Sequence, residues 1–119
     1  MRSVRSATGD LFQRGLADHR AGRLLQAQAL YRQIVTIDPT HVDAHINLGA
    51  ALAALGRLAE AEASFREALR LRPNSPEIHN NLGIALARLG RLAEAEASCR
   101  EALRLRPISL RAATTSAMR

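Results

Sequence analysis

The chain has no tryptophan, no lysine and one cysteine, and its only aromatic rings besides histidine are Phe12, Tyr31 and Phe65. With aromatics at 3% of 119 residues, a core has to be built from Leu and Ala on closely spaced helices. The lone Cys99 excludes an intrachain disulfide framework and a cysteine metal knuckle. No activating partner for its thiol is evident, so it reads as a small buried hydrophobe in a core slot. No run approaches the roughly 18 apolar residues of a membrane span. The opening MRSVRSATGD has no apolar stretch and is not a secretory signal, so a cytoplasmic location is expected. Nucleophile elbows, phosphate-cradling glycine loops, metal motifs and paired-carboxylate sites are all missing. The expectation is a non-catalytic chain without cofactor or metal.

The charge is one-sided in kind. All 17 basic residues are Arg, and the net charge is +6. Many of these Arg have carboxylates at helical spacing: Glu62–Arg66 and Glu96–Arg100 at i,i+4, Glu67–Arg70 and Glu101–Arg104 at i,i+3. These read as solvated-face pairs. No aromatic residue is interleaved with the Arg to stack bases, which argues against a nucleic-acid partner.

What the chain does have is repetition. Residues 42–75 and 76–109 are copies of one 34-residue unit, identical at 26 of 34 positions. The string GRLAEAEAS-x-REALRLRP runs from Gly56 to Pro73 and again from Gly90 to Pro107. A more diverged copy at 8–41 shares nine identities with the second: Gly15, Ala17, Gly22, Arg23, Leu24, Ala27, Ala29, Arg32 and Pro39. A short fixed period marks a stacked array, in which each unit buries its apolar face on a neighbour.

The spacing within the unit resembles the tetratricopeptide repeat, a helix–turn–helix with the signature W-x2-L-G-x2-Y…A-x3-F…P. The second copy reads His45-x2-Leu48-Gly49-x2-Leu52, Ala61-x3-Phe65, Pro73, and the third His79-x2-Leu82-Gly83-x2-Leu86, Ala95-x3-Cys99, Pro107. In the first, Arg14 and Asp18 stand where the others have Leu, as expected of an end unit with no upstream neighbour. The resemblance implies an all-α, right-handed superhelix of three repeats, 8–41, 42–75 and 76–109, forming one domain over 8–119. Residues 1–7 are expected as a flexible tail and the segment 110–119 as a weak C-terminal capping helix.

Helices are expected at about 9–21, 24–37, 42–54, 58–71, 76–88 and 92–105. Gly22, Gly56 and Gly90 fall in the turns, where a helix end takes a left-handed residue. Ser75-Pro76-Glu77 is a helix start: capping hydroxyl, proline in the first turn, and an acid facing the dipole. Gly49 and Gly83, Ala61 and Ala95, and Ala68 and Ala102 keep neighbouring helices close.

Four histidines raise a metal question. His45 and His79 are 34 residues apart and fall in register, but no third ligand clusters with them, and packing in a ring slot is the better reading. His19 and His41 read as ordinary turn or surface residues.

In tetratricopeptide arrays the first helix of each pair lines a concave groove. Asn47, Asn81 and Gln13 hold matching places on those helices, each two residues before the Gly of its repeat. The His-x-Asn-Leu-Gly strings resemble repeats of O-linked N-acetylglucosamine transferases and their bacterial (SPINDLY-type) relatives. There, a ladder of groove asparagines holds the backbone of an extended peptide. A primary amide both donates and accepts, so it can pair with a peptide unit without reading its side chains. The competing reading is that these amides hold the joint between repeats. By the same alignment the groove includes Phe12, Leu16, Arg20, Asp43, Ile46, Ala50, Ala54, Glu77, Asn80, Ile84 and Arg88; of these, Asn80, Ile84 and Arg88 join Gln13, Asn47 and Asn81 as candidate peptide-binding residues. A carboxylate clamp of the chaperone-cofactor kind is matched only at Asn47.

The resulting expectation is a module binding a peptide or partner protein. Two alternatives remain: the repeat arm of a larger glycosyltransferase- or sulfotransferase-like enzyme, and an array that self-associates through its C-terminal end.

Overall fold

The computed structural model describes residues 3–106. Six helices follow in order: α1 (Val4–Arg20), α2 (Leu24–Ile37), α3 (Val42–Ala54), α4 (Leu58–Leu71), α5 (Pro76–Arg88) and α6 (Leu92–Arg104). No strand occurs among the described residues. The helices pair as α1/α2, α3/α4 and α5/α6, and the pairs stack in chain order through α2 on α3 and α4 on α5.

Five helices begin at the residues expected from the sequence pattern. The exception is α1, which starts at Val4. Ser3 caps it, its Oγ accepting from the Ser6 N–H at 3.1 Å, and Thr8 donates back to the Val4 carbonyl at 3.0 Å. Residues 4–7, expected as a tail, are therefore its first turn. The capping segment expected at 110–119 lies outside the described residues.

Within each pair the same turn recurs. Gly22, Gly56 and Gly90 have φ of 81°, 81° and 84°, and the next N–H closes on the preceding helix: Arg23 to Asp18 O, Arg57 to Leu52 O, Arg91 to Leu86 O, at 2.8–2.9 Å. This left-handed cap satisfies carbonyls that a helix end would otherwise leave open. A second set of glycines serves close approach. A Cβ on Gly15 would lie 2.7 Å from the Tyr31 ring, and one on Gly49 2.5 Å from the Phe65 ring.

The core runs continuously through all three pairs. Ala27, Tyr31 and Ile34 lead to Ala44, Leu48 and Leu52, then to Ala61, Phe65 and Ala68, then to Ile78, Leu82 and Leu86, with Ala95 closing the series. Tyr31 and Phe65 are sealed, but Cys99, at the matching place in α6, is only half-buried. The expectation of a buried Cys99 is corrected: a thiol fills less of the slot than a ring, and among the described residues no further helix pair stacks on α6.

Candidate functional site: the groove of the first helices

The first helix of each pair is covered on one side and open on the other. On α3, Ala44, His45, Leu48, Gly49, Ala51 and Leu52 are buried, whereas Asp43 and Ala54 are exposed and Asn47 and Ala50 half-buried. The open positions are spaced by four, three and four residues, a single stripe along the helix. α5 repeats the stripe with Glu77, Asn81, Ile84 and Arg88, and α1 with Gly9, Gln13, Leu16 and Arg20. α3 also touches α5, and the Arg88 guanidinium donates to the Ala53 carbonyl at 3.0 Å, which ties the ends of these two first helices together.

Among the six candidate peptide-binding residues, Asn47 and Asn81 are half-buried, Gln13 and Asn80 exposed, Ile84 51% exposed and Arg88 exposed. The side chains of Gln13, Asn47, Asn80 and Asn81 make no hydrogen bond among the described residues. Two residues of the wider groove belong to the packing instead. Ile46 is buried in the core, and Phe12 sets its ring 6.1 Å from Tyr31 and 5.3 Å from His41.

Charge is handled differently on the second helices. The four local pairs read from the sequence all form: Glu62–Arg66 at 2.7 Å, and Glu96–Arg100, Glu67–Arg70 and Glu101–Arg104 at 2.5 Å each. Further pairs cross from repeat to repeat: Arg32–Glu60 at 2.8 Å, Arg91–Glu62 at 2.5 Å and Arg66–Glu94 at 3.5 Å. Glu62 is the most enclosed carboxylate of this ladder, its side chain 14% exposed. The hydrogen bond from Arg66, followed by that from Arg91, holds its pKa below the usual glutamate value. Arg91 similarly lowers Glu94. A local spacing rule cannot see partners 28 or 29 residues away; the 34-residue period combined with the Arg-x-x-Glu opening of α4 and α6 was the available signal.

The histidines are structural. Nε2 of His45 lies 2.8 Å from the Pro39 carbonyl and that of His79 2.9 Å from the Pro73 carbonyl, so each latches its helix to the end of the preceding repeat. His19 Nδ1 meets the Tyr31 hydroxyl at 3.2 Å. His41, read as an ordinary turn residue, caps α3: its Nδ1 accepts from the Ala44 N–H at 3.1 Å. Ser75 does the same for α5 one period later, and that alignment could have revealed it. No cluster of three or more His, Cys, Asp or Glu able to hold a metal occurs among the described residues, and no described helix is long and apolar enough to cross a membrane.

Comparison with known proteins agrees with this geometry. Three family models match, one described as TPR repeat over residues 51–90 and two as tetratricopeptide repeat over 19–64 and 76–108. A search of curated proteins finds no match. Among solved structures, a mutant of MamA superposes with a TM-score of 0.80 at 29% identity, over 85% of this chain and 74% of that one. MamA AMB-1 gives 0.79 at 30% identity over 82% of this chain, which spans only 58% of the MamA chain. The Arabidopsis OM64 TPR domain gives 0.84 at 23% identity, covering 88% of this chain and 87% of that one, and shows the shared fold. These neighbours lend no support to a specific likeness to O-linked N-acetylglucosamine transferases. Period, turn glycines, paired helices and matched models together place the chain in the tetratricopeptide-repeat family.

Proposed function

We propose that this chain is a non-catalytic interaction module that holds an extended peptide segment of a partner protein along the groove of α1, α3 and α5. Asn47 and Asn81 take the peptide backbone, with Gln13 extending the row and Asn80, Ile84 and Arg88 beside it. The carrying observation is that these amides recur in register on the open face yet bond to nothing among the described residues. Amides kept for the joint between repeats would be expected to bond across it. The convex side offers little competition, because its carboxylates and most of its guanidinium groups satisfy one another. Packed helices lie about 8–10 Å apart, which matches three residues of extended chain at about 3.3 Å each. The same fold also occurs in a structure described as the CopN-Scc3 complex, at a TM-score of 0.80 and 18% identity. We place this activity in the cytoplasm.

The test is the double change Asn47→Ala and Asn81→Ala. Each lost amide pair costs about 0.5–1.5 kcal/mol, so affinity for a groove-bound peptide falls roughly five- to hundred-fold while the helical circular dichroism stays. Arg66→Ala with Arg100→Ala, on the convex side, changes binding little. If the Arg changes and added salt abolish binding while the Asn changes do nothing, the partner sits on the convex face and the groove assignment fails.

A further inference from the structure

Resting on that groove reading, the four open rows of the first helices also specify what kind of peptide fits. At the helix starts stand Asp43 and Glu77, both exposed. Next comes the amide row, Gln13, Asn47 and Asn81. Beyond it lies an apolar row, Leu16, Ala50 and Ile84, in which Ile84 is 51% exposed. At the helix ends are Arg20 and Arg88. Along a helix rising about 1.5 Å per residue, the acid row lies about 6 Å to one side of the amides and the apolar row about 4.5 Å to the other.

The rows differ in what they have free. Neither Asp43 nor Glu77 forms an ion pair among the described residues. In contrast, Glu60, Glu62, Glu67, Glu94, Glu96 and Glu101 on the second helices are all paired with Arg. In the far row Arg88 already donates to the Ala53 carbonyl. A backbone lying on the amides therefore has unpaired carboxylates along one edge and an exposed aliphatic surface along the other. Side chains of an extended chain alternate between its two edges.

We infer that the groove takes an extended peptide of alternating basic and apolar residues: basic side chains on one edge recur every two residues, about 7 Å, and their long stems splay to reach Asp43 and Glu77 on helices about 8–10 Å apart, while the apolar ones lie on Ala50 and Ile84. The preference belongs to the second and third repeats, since Gly9 holds the acid position in the first. The charge component is screened by salt, while the amide and apolar components are not.

The probes are short peptides titrated by fluorescence anisotropy: acetyl-Ser-Lys-Leu-Lys-Leu-Lys-Ser-amide carrying a side-chain dye, and counterparts with Glu or Ser in place of Lys, or Ser in place of Leu. The Lys/Leu peptide binds at least tenfold more tightly than the Glu/Leu peptide, and the gap narrows as salt rises. Asp43→Asn with Glu77→Gln erases the advantage of Lys over Ser and leaves Ser/Leu binding unchanged. Ile84→Ser weakens the Leu peptides and spares the Lys/Ser one. Equal affinity for the Lys, Glu and Ser peptides, all weakened by Asn47→Ala with Asn81→Ala, overturns the inference and leaves the groove reading standing. Tighter binding of Glu/Leu overturns it in favour of the Arg20 and Arg88 edge. Absence of binding by every peptide, or affinities untouched by the Asn changes, overturns the inference together with the groove reading.

Discussion

The joint between the first and second repeats and the joint between the second and third are built on one plan and differ in what crosses them. At the later joint Ile78 fills the interface with no exposed surface, Ser75 caps α5, and Arg91 bridges Glu94 of α6 and Glu62 of α4 in the preceding repeat. At the earlier joint Ala44 replaces Ile78, His41 replaces Ser75 and leans on Phe12, and Arg57 pairs, among the described residues, with Glu60 alone. Arg57 and Arg91 open helices that share the same first seven residues, LAEAEAS. Their different reach comes from the residue opposite: Gln28 stands in the first repeat where Glu62 stands in the second. The local sequence places an Arg; its role is decided by a neighbour one repeat away.

The largest expected break in this comparison is at the apolar centre of the later joint. Ile78→Ala, which makes it resemble the earlier one, costs about 2–5 kcal/mol, read as a lowered midpoint in urea unfolding. Gly49→Ala comes next. Its new Cβ would sit 2.5 Å from the Phe65 ring, so overpacking costs about 1–3 kcal/mol; Phe65→Leu in the same chain should recover part of it.

At the helix starts, His41→Ala removes the α3 cap and costs about 1 kcal/mol, whereas His41→Ser, copying Ser75, retains stability closer to the parent. Thermal melts of the two variants separate capping from ring packing on Phe12.

Smaller again is Glu62→Gln, which makes the later joint electrostatically like the earlier one and costs about 0.2–1 kcal/mol at neutral pH. Because pairing lowers the pKa of Glu62 in the folded protein, its stabilisation is present above the usual glutamate range near 4.3, and is lost as pH falls through the depressed value. The loss of stability on acidification should therefore be smaller in Glu62→Gln than in the parent. An equal loss would mean that the ladder does not contribute. The reverse change, Gln28→Glu, offers Arg57 the partner that Arg91 has and should add a few tenths of a kcal/mol.

Much of the fold was legible because its signals are local and repeated. Turn glycines at Gly22, Gly56 and Gly90, and leucines and alanines at helical spacing, mark where helices stop and which faces pack. The start of α1 was less legible, since the Ser3 cap and the Thr8 back-bond lie upstream of the repeat signature. Within the candidate groove, the register of Gln13, Asn47 and Asn81 could be read from the period alone. That Ile46 and Phe12 are taken by the core, and Arg88 by the Ala53 carbonyl, could not. Those side chains lie on the boundary between the open and packed faces of a helix, where a residue's neighbours decide its side.

By itself the sequence determined the repeat, the helix pairs, the continuous Leu and Ala core and the near-neutral balance of α4 and α6, since all follow from periodicity and from pairs three or four residues apart. Only the tertiary structure decided which charges cross a joint, how the four histidines are used, and that Asn47, Asn81, Asp43 and Glu77 have no hydrogen-bond or ion-pair partner among the described side chains. The physical reason is distance along the chain. A helix brings residues three and four apart together whatever surrounds it, whereas residues some 28 apart meet only when two repeats stack at a particular separation and angle.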